Sequence, residues 1–478
     1  MTGTVQSKLL AGWWDPAAVF SSLYSTDRYS FWLDAGPGAR TGVSYLGAAS
    51  PRSRFVTASV AQGTVTSGYV HPADAAPPVV THETIFEFLR RDLTGCHDLT
   101  TAGDGFELGW VGWLGYELGS CTVGTPVHPS RYPDAALLEI DRLMRFDHHE
   151  RTVTLVARPN AAECATAVAD WFDQTVAALA VIPAPIPAAT GPVAVPNPVA
   201  ASAAPRWRHY PSDYAALIEA CLAAIHDGDA YQLCLTNEIR VPGSWHPVDT
   251  YGVLRAGSPS HHGGLLRFGE LALLSASPEQ FLHVGPDRRI RTKPIKGTRP
   301  RSNEPGEDDR LKLELATSDK ERAENLMIVD LMRNDLGRIA ELGTVAVSTL
   351  LAVESYPHVH QLVSTIEAQL SPGVTVPDAI EACFPAGSMT GAPKQSAMTI
   401  LDALERGPRG IYSGAFGYIG LGGTADLAIV IRSIVLDPAG ASIGTGGGIT
   451  ALSTAAEEIE ETRIKAAALL ATLGVAAP

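Results

Sequence analysis

Cysteine is scarce in this sequence, with six in 478 residues. The six are scattered without a CxxC pair, at Cys96, Cys121, Cys164, Cys221, Cys234 and Cys383. This spacing excludes a zinc ribbon and argues against a disulfide framework. The thiols therefore favour a reducing compartment, and we expect the cytoplasm.

Charge and long apolar runs are also scarce. Charged residues make up 18% of the chain, and 36 basic against 51 acidic residues leave a net charge of −15. Because no face dense in Lys and Arg can form, we expect no nucleic-acid partner. No apolar stretch of about 20 residues is free of proline and charge, so we expect no membrane span. The first 14 residues lack the pattern of a signal peptide.

A proline-rich segment divides the chain. Residues 181–205 contain seven prolines and no charge, a composition typical of a stiff connector. The sequence therefore predicts an amino-terminal subdomain at 1–180, a linker at 181–205 and a larger domain at 206–478.

Hydrophobic periodicity predicts a mixed α+β fold. Strands are expected at 29–33, 53–60, 151–158, 271–276 and 427–436. Helices are expected at 161–180, 214–227, 319–339, 394–404 and 455–473. Strands and helices do not alternate in regular βαβ units, which argues against a Rossmann-type sheet.

Two short motifs do not support their usual functions. Residues 440–444 read GASIG and fit the GxSxG pattern, but no helix follows, as a nucleophile elbow requires. Residues 387–394 read GSMTGAPK, and their spacing is wrong for a phosphate-binding loop.

A basic segment contains the first candidate reactive group. Lys296 lies in the sequence PIKGTRPR at 294–301, shortly after several arginines. Clusters of this kind are often solvated loops. Neighbouring positive charge also disfavours the ammonium form, so we expect the pKa of Lys296 to be lowered toward that of a nucleophile or base.

Two predicted helices each carry a Glu-x-x-Glu step. Glu321 and Glu324 lie near the start of one helix, and Glu458 and Glu461 lie near the start of the other. Capping boxes and solvated helix faces explain part of each pattern. Together, however, the two steps offer hard oxygen ligands for one Mg²⁺ ion, which uses few carboxylates and keeps several waters.

Glycine-rich segments and one arginine complete the candidate site. Residues 385–394 and 444–448 expose backbone N–H groups that can hold an anion. Arg432 lies between them within the predicted strand AIVIRSIVL, where a charge is costly unless it is paired. These features predict a site for a small dianion, held by Arg432, backbone amides and carboxylate-bound Mg²⁺.

Several segments resemble the chorismate-utilising enzymes, a family that includes anthranilate, aminodeoxychorismate, isochorismate and salicylate synthases. The segments are PIKGTRPR, DKERAENLMIVDLMRNDLGRIA, VHQLVSTIEA, FPAGSMTGAPKQSAM, IYSGAFGY and EETRIK. They run in order through 206–478, and GWVGWLGYE at 109–117 resembles the amino-terminal part of the synthase large subunits. The resemblance implies two packed β-sheets surrounded by helices, built jointly from both parts of the chain.

The resemblance also implies roles for individual residues. Glu324 and Glu461 would hold Mg²⁺ with Glu458 close by, and Glu321 would protonate the departing C4 hydroxyl of chorismate. The other implied binding residues are Gly297, Thr298, Ser388, Tyr412, Arg432, Gly446 and Lys465.

A few positions discriminate among members of the family. Gln232 stands where isochorismate and salicylate synthases have a water-activating lysine, which favours ammonia as the nucleophile. Lys296 resembles the PIKGT of aminodeoxychorismate synthases, whereas anthranilate synthases typically have alanine there. In the aminodeoxychorismate synthases this lysine attacks C2 of chorismate, and ammonia then attacks C4. Gln361 replaces a histidine of anthranilate synthases, and His360 beside it is given no catalytic role.

The resemblance implies partners as well. No cysteine lies in a glutaminase motif, so we expect ammonia from a separate glutamine amidotransferase subunit, in a heterodimer. A separate lyase would then release para-aminobenzoate for folate synthesis. The segment FWLDA at 31–35 resembles a tryptophan-sensing segment with Ala35 in place of serine, so bound tryptophan remains open. The alternatives are an anthranilate synthase large subunit and a non-catalytic chorismate sensor.

Overall fold

The computed structural model describes residues 4–71, 77–94, 105–159, 166–183, 204–356 and 358–476. The strands in these residues are β1 Gln6–Leu10, β2 Tyr29–Asp34, β3 Val43–Ala48, β4 Arg54–Ser59, β5 Thr64–Tyr69, β6 Val79–Thr81, β7 Gly109–Leu114, β8 Ala135–Ile140, β9 Arg142–Asp147, β10 Thr152–Ala157, β11 Arg206–Trp207, β12 Gln232–Pro242, β13 His262–Phe268, β14 Leu271–Ser277, β15 Gln280–Val284, β16 Arg289–Lys293, β17 Ile295–Pro300, β18 Ala346–Ser355, β19 Val359–Gln369, β20 Gly391–Ala392, β21 Ala415–Gly420, β22 Ala425–Ile429, β23 Ser433–Asp437 and β24 Gly440–Ile449.

The α-helices in the same residues are α1 Pro16–Leu23, α2 Ile85–Leu93, α3 Gly119–Val123, α4 Ala167–Ala180, α5 Pro211–His226, α6 Pro247–Gly257, α7 Pro305–Thr317, α8 Asp319–Gly337, α9 Val376–Cys383, α10 Lys394–Glu405 and α11 Ala455–Thr472. None of these described helices is long and apolar enough to cross a membrane.

The strands form two antiparallel sheets of twelve strands each. Sheet A has the order β1-β10-β9-β3-β2-β13-β14-β23-β24-β12-β11, with β20 paired to β12. Sheet B has the order β17-β19-β16-β15-β22-β21-β7-β8-β4-β5-β6, with β18 paired to β19. Strands from the two parts of the chain meet where β2 pairs with β13 and where β7 pairs with β21. The predicted fold class, two sheets built jointly and surrounded by helices, is confirmed.

Sheet A is buried on both faces, and the alternation of its side chains shows why. On β2, Phe31 and Leu33 belong to the core between the sheets, whereas Trp32 belongs to a second core beneath α1, α4, α6 and α11. Successive side chains of a strand point to opposite faces. A strand covered on both faces therefore reads as one continuous apolar run, as FWL does here.

Most predicted elements lie where the periodicity placed them. The strands predicted at 53–60 and 151–158 are β4 and β10, each one residue shorter at either end. Helix α5 begins three residues before its predicted start, at Pro211, because proline suits the first turn of a helix. Segment 440–444 begins strand β24, in agreement with the rejection of a nucleophile elbow. Much of the predicted linker lies outside the described residues, so the domain division stays a prediction.

One predicted strand is wrong, and it concerns a site residue. The run at 427–436 is two strands, because β22 pairs with β15 and β21 in sheet B while β23 pairs with β14 and β24 in sheet A. Arg432 lies at the crossing between the sheets with φ +51°, not within a strand. Since both sheets are buried, the apolar run continues through the crossing and hides the break.

Candidate active site

Lys296 lies at an irregularity of strand β17. Ile295 is opposite Val363 and Thr298 is opposite Gln361 on β19. Three steps along β17 therefore match two along β19, which is a β-bulge. Bulges redirect side chains, and this one takes Lys296 out of the regular alternation of the sheet.

Gly297 in the same bulge makes room for Glu321. Its φ is +81°, and a Cβ atom there would lie 2.8 Å from the carboxyl of Glu321. The Ser318 hydroxyl accepts a hydrogen bond from the Glu321 backbone N at 3.4 Å, which caps helix α8 as predicted. Arg299 Nη1 lies 3.5 Å from Glu321 Oε1. Glu321 therefore lies at the rim of the site and next to a cation.

The charge around Lys296 is negative, not positive. Burial alone would lower the pKa of its ammonium group, but Glu324, Cys234, Glu279 and Glu461 raise it, and the net shift is upward. The predicted lowering of this pKa by neighbouring arginines is wrong, because the bulge directs Lys296 toward carboxylates from other elements. A nucleophilic role thus requires that this negative charge be neutralised.

Glu279 is a site residue that the sequence reasoning missed. It is buried, and burial raises the pKa of its carboxyl to about 7. The Ser388 hydroxyl, the Lys296 ammonium and the backbone of Ile295 face this carboxyl and moderate the shift. The signal was the place of this glutamate between the apolar stretches LALL at 271–274 and FL at 281–282, since a charge close to buried strands needs an explanation.

Gln232 presents unsatisfied polar atoms to the same space. It is fully buried, and neither atom of its side-chain amide has a hydrogen-bond partner among the described residues. A Cβ atom on Gly448 would lie 2.4 Å from Gln232 Nε2 and 3.5 Å from Lys296 Nζ. The amide and the ammonium therefore lie close to the same glycine. Buried polar atoms without partners are costly in a fold and are typical of a site that binds a polar ligand.

Helices α8 and α11 bring buried carboxylates together. Glu324 is 8% exposed and Glu458 is 2% exposed. Glu458 Oε1 accepts hydrogen bonds from the Ser453 hydroxyl at 2.7 Å and from Lys320 Nζ at 3.3 Å. Glu458 Oε2 is buried without a partner among the described residues, and a Cβ atom on Gly447 would lie 2.8 Å from it.

Glu461 and Lys465 form an i,i+4 ion pair on α11, at 2.7 Å. Lys465 Nζ also donates to the backbone carbonyl of Gly446 at 2.9 Å. Burial would raise the pKa of Glu461, but Lys465 and the other nearby lysines lower it. Arg432 and Tyr412 lie in each other's electrostatic field, and Arg432 is also influenced by Glu461.

The carboxylates fit a magnesium ion in their chemistry. Among the described residues, no three His, Cys, Asp or Glu side chains form a ready-made metal cluster. Mg²⁺ does not require one, because it keeps waters and is held by one or two carboxylates and by oxygens of the substrate. The buried, unpartnered Oε2 of Glu458 is a hard donor of the type that such an ion uses.

The predicted site residues separate into a centre and a rim. Contacts or shared fields connect the central ones, namely Gln232, Lys296, Glu324, Ser388, Tyr412, Arg432, Gly446, Glu458, Glu461 and Lys465. Gly297 and Glu321 form the rim, and Thr298 is exposed on the edge strand β17. The roles of all these residues stay predictions.

His360 and Gln361 differ in their surroundings. His360 is buried, with its ring nitrogens 2.8 Å from the Ser355 hydroxyl and 3.0 Å from Asp308. Its ring therefore ties β19 to α7. Gln361 lies opposite Thr298 in the register of β17.

The segment predicted to bear on tryptophan lies at the end of β2. The Asp34 carboxylate accepts hydrogen bonds from Arg255, from the Tyr251 hydroxyl at 3.1 Å and from the backbone N of Gly36 at 3.0 Å. Tryptophan binding stays a prediction.

Comparisons with known proteins point to one enzyme family. A family model described as chorismate binding enzyme matches residues 15–471. An aminodeoxychorismate synthase of Streptomyces griseus is 44% identical over 99% of this chain and 65% of its own length. An anthranilate synthase component 1 of Mycobacterium tuberculosis is 34% identical over 99% of this chain and 93% of its own length.

A solved structure supports the fold. The crystal structure of anthranilate synthase component I from Streptococcus pneumoniae has a TM-score of 0.76 at 28% identity, covering 91% of this chain and 93% of that one. The chain spans just under two thirds of the length of the Streptomyces aminodeoxychorismate synthases that it matches, at 65% and 64%. Since the family model covers nearly the whole chain, the chain belongs to the chorismate-binding enzyme family.

Proposed function

We propose that this chain converts chorismate and ammonia to 4-amino-4-deoxychorismate. Two relatives named aminodeoxychorismate synthase, at 44% and 41% identity, support the proposal. The observation that carries it is Lys296, a primary amine directed by a β-bulge toward the buried carboxyl of Glu279.

The proposed chemistry proceeds in two displacements. The neutral amine of Lys296 forms a bond to C2 of chorismate while both conjugated double bonds of the ring shift and the C4–O bond breaks. The departing hydroxide takes a proton and leaves as water. Ammonia then forms a bond to C4, both double bonds return to their original positions and the C2–N bond to Lys296 breaks. The lysine is thereby released for another turnover.

Two carboxyls are candidates for the proton donor. Glu321 is the donor implied by the family resemblance, but it lies at the rim beside Arg299. Glu279 has a pKa of about 7, so it carries a proton in a large fraction of molecules near neutral pH. It also faces the attacking amine. We therefore assign protonation of the C4 hydroxyl to Glu279 and treat Glu321 as the alternative.

The remaining residues bind the dianion. Arg432, Tyr412 and Gly446 would hold the enolpyruvyl carboxylate, and Gly297, Thr298, Ser388 and Lys465 would complete the pocket. Glu324, Glu458 and Glu461 would hold Mg²⁺. When bound, this ion would supply a Lewis acid and an anchor for the ring carboxylate. Lys296 would then be surrounded by less negative charge, which favours its neutral, nucleophilic form.

Ammonia is proposed to come from a glutamine amidotransferase partner. Gln232 supports an ammonia-dependent reaction, because a neutral amide cannot act as a base that activates water. Its unsatisfied carbonyl and amino groups can instead accept a hydrogen bond from ammonia or donate one to the substrate.

Anthranilate synthesis is the second candidate. The M. tuberculosis relative and the S. pneumoniae structure are both named anthranilate synthase. The match to this chain covers more than nine tenths of each of them. In that reaction ammonia attacks C2 directly and Lys296 has no covalent role. The two functions therefore differ in whether Lys296 forms a covalent bond to the substrate.

Product identity decides between them. The purified chain would receive chorismate, Mg²⁺ and ammonium, and the product would be separated and identified by mass spectrometry. We expect a compound that an aminodeoxychorismate lyase converts to para-aminobenzoate. Anthranilate as the product would overturn the proposal. If no product forms with ammonium, the amidotransferase partner is added and the identification is repeated.

Replacement of Lys296 tests the covalent step. We expect Lys296→Ala to lower turnover by about 10³-fold or more, as loss of a nucleophile typically does. Rapid quenching and intact-protein mass spectrometry should detect a chorismate-derived adduct on the unmodified chain but not on the variant. Undiminished turnover of the variant would exclude covalent catalysis.

A further inference from the structure

Lys320 occupies an unusual position on helix α8. It is the second residue of the helix, which begins at Asp319, and a cation there is disfavoured by the helix dipole. Its side chain reaches across to helix α11, where Nζ lies 3.3 Å from Glu458 Oε1. Local helix energetics therefore do not explain this lysine, whereas the carboxylate on the facing helix does.

The electrostatic surroundings of Lys320 are those of the proposed metal site. Its ammonium lies in the field of Glu458, Glu324 and Glu461 together, the three carboxylates that would hold Mg²⁺. It also bridges α8 and α11, the same two helices that an ion held by these carboxylates would connect. The singly charged ammonium of Lys320 therefore lies among the carboxylates that would bind the divalent ion.

The other two lysines of the site, Lys465 and Lys296, make different contacts. Lys465 donates to the carbonyl of Gly446 and pairs with Glu461 on its own helix. Lys296 lies in the strand bulge close to Gly448. The Lys320 side chain is 35% exposed, whereas its partner Glu458 is almost fully buried. Lys320 can therefore turn toward solvent without opening the site.

We propose that Lys320 is an exchangeable counter-cation that occupies the carboxylate site until Mg²⁺ displaces it. This inference rests on the magnesium site of the proposed function and adds a competitor to it. While Lys320 neutralises Glu458, the two acidic helices stay together in the absence of metal. Mg²⁺ held by Glu458 Oε2 would lie close to the Lys320 ammonium on Oε1 of the same carboxylate. Repulsion between the two cations then drives the ammonium out, so the affinity of the free chain for Mg²⁺ is lower than the carboxylates alone would give.

Direct metal binding tests the proposal without any turnover. Mn²⁺ serves as the paramagnetic probe, and its free concentration is measured by electron paramagnetic resonance in the absence of chorismate, with Mg²⁺ as competitor. Removing one positive charge a few ångströms from the ion is worth about 1 kcal/mol or more, so we expect Lys320→Met to bind Mn²⁺ and Mg²⁺ about fivefold to tenfold more tightly. Lys312→Met on the exposed face of α7 is the matched control, with unchanged affinity.

A second variant covers the case in which Lys320→Met does not fold, because it leaves Glu458 buried without a cation. Lys320→Gln keeps a hydrogen-bond donor for Glu458 and removes the charge. The same gain in metal affinity is expected, together with a larger rise of the melting temperature on addition of Mg²⁺ than in the unmodified chain.

The outcomes are distinct. Equal or weaker metal binding by both Lys320 variants, with measurable binding by the unmodified chain, would overturn the role of Lys320 and leave the proposed function intact. Absence of metal binding in every variant would remove the magnesium site itself. Tighter binding in the variants supports the exchange whichever product the enzyme forms.

Discussion

Two buried glutamates with the same pKa lie in very different surroundings. Burial raises the pKa of both Glu117 and Glu279 to about 7. Glu117 lies in a short turn after β7, and its carboxyl accepts hydrogen bonds from the backbone N of Arg409 at 2.7 Å and of Gly410 at 3.0 Å. Glu279 instead faces the Ser388 hydroxyl and the Lys296 ammonium.

The difference separates a structural carboxyl from a chemical one. A shifted pKa marks candidates for catalysis, but buried groups of the framework are shifted as well. Glu117 uses both of its oxygens to hold the segment that follows α10 against the amino-terminal part of the chain. Glu279 lies beside a group that is itself incompletely bonded, since Ser388 Oγ has no well-formed hydrogen bond within the described part of the chain. Incomplete bonding around the carboxyl, rather than its pKa, indicates the site.

The largest expected effect is the loss of kcat on replacement of Glu279, with the same replacement of Glu117 as the comparison. Glu279→Gln should lower kcat by about 10²–10⁴-fold, the range typical of a lost general acid, because the amide cannot protonate the leaving hydroxyl. Glu117→Gln should change kcat by less than about threefold, since its carboxyl is bonded to the backbone of Arg409 and Gly410. Steady-state kinetics with chorismate and ammonium would measure both.

The KM for chorismate serves as the control in these assays. A general acid acts on the barrier, so Glu279→Gln should leave KM close to that of the unmodified chain. If Glu117→Gln impaired kcat as strongly as Glu279→Gln, the distinction between the two carboxyls would fail.

Stability as a function of pH gives a second, smaller contrast. The folded-state pKa of Glu279 is about 7, above its ordinary value of 4.5, so the folded chain binds the extra proton between these values. Stability from this group is present below pH 4.5 and is lost as pH rises toward 7, at a cost of up to about 3 kcal/mol. Glu279→Gln stays neutral and avoids that cost.

Urea unfolding at pH 5 and pH 8 would measure this effect. We expect the free energy of unfolding of Glu279→Gln to exceed that of the unmodified chain by about 1–3 kcal/mol at pH 8 and by much less at pH 5. Glu117→Gln should gain less at pH 8, because an amide cannot accept from two backbone N–H groups with both of its ends. An equal gain in both variants would show that hydrogen bonding does not distinguish the two sites.

The same contrast explains what could be predicted from the sequence. Elements with caps and clear periodicity, such as α8 behind Ser318 and α11 behind Thr454, lie where they were predicted because local energetics determine them. The two-sheet fold and the family were predicted from the resemblance that the ordered motifs carry.

Features that depend on distant contacts were not predictable. The run around Arg432 is uniformly apolar, so nothing local shows where the chain leaves one sheet for the other. The shift of the Lys296 pKa was predicted in the wrong direction. The charges that act on it include the carboxylates of Glu324 on α8 and Glu461 on α11, not the arginines adjacent in the sequence. Glu279 was missed because its burial and its proximity to Lys296 arise only when the sheets assemble.

Glu321 provides the third carboxyl, with a smaller expected effect on kcat than Glu279. It shares its helix with Glu324, but its carboxyl lies beside Arg299 and above Gly297 at the rim of the site. The guanidinium of Arg299 engages this carboxyl, whereas the carboxyl of Glu279 faces the Lys296 ammonium. Glu321→Gln should therefore lower kcat by less than about tenfold, well short of the loss typical of a general acid. The ratio of the two losses, measured in one buffer series from pH 6 to pH 9, is the decisive quantity. A larger loss in Glu321→Gln than in Glu279→Gln would return the proton donor to helix α8 and leave Glu279, like Glu117, as a carboxyl of the framework.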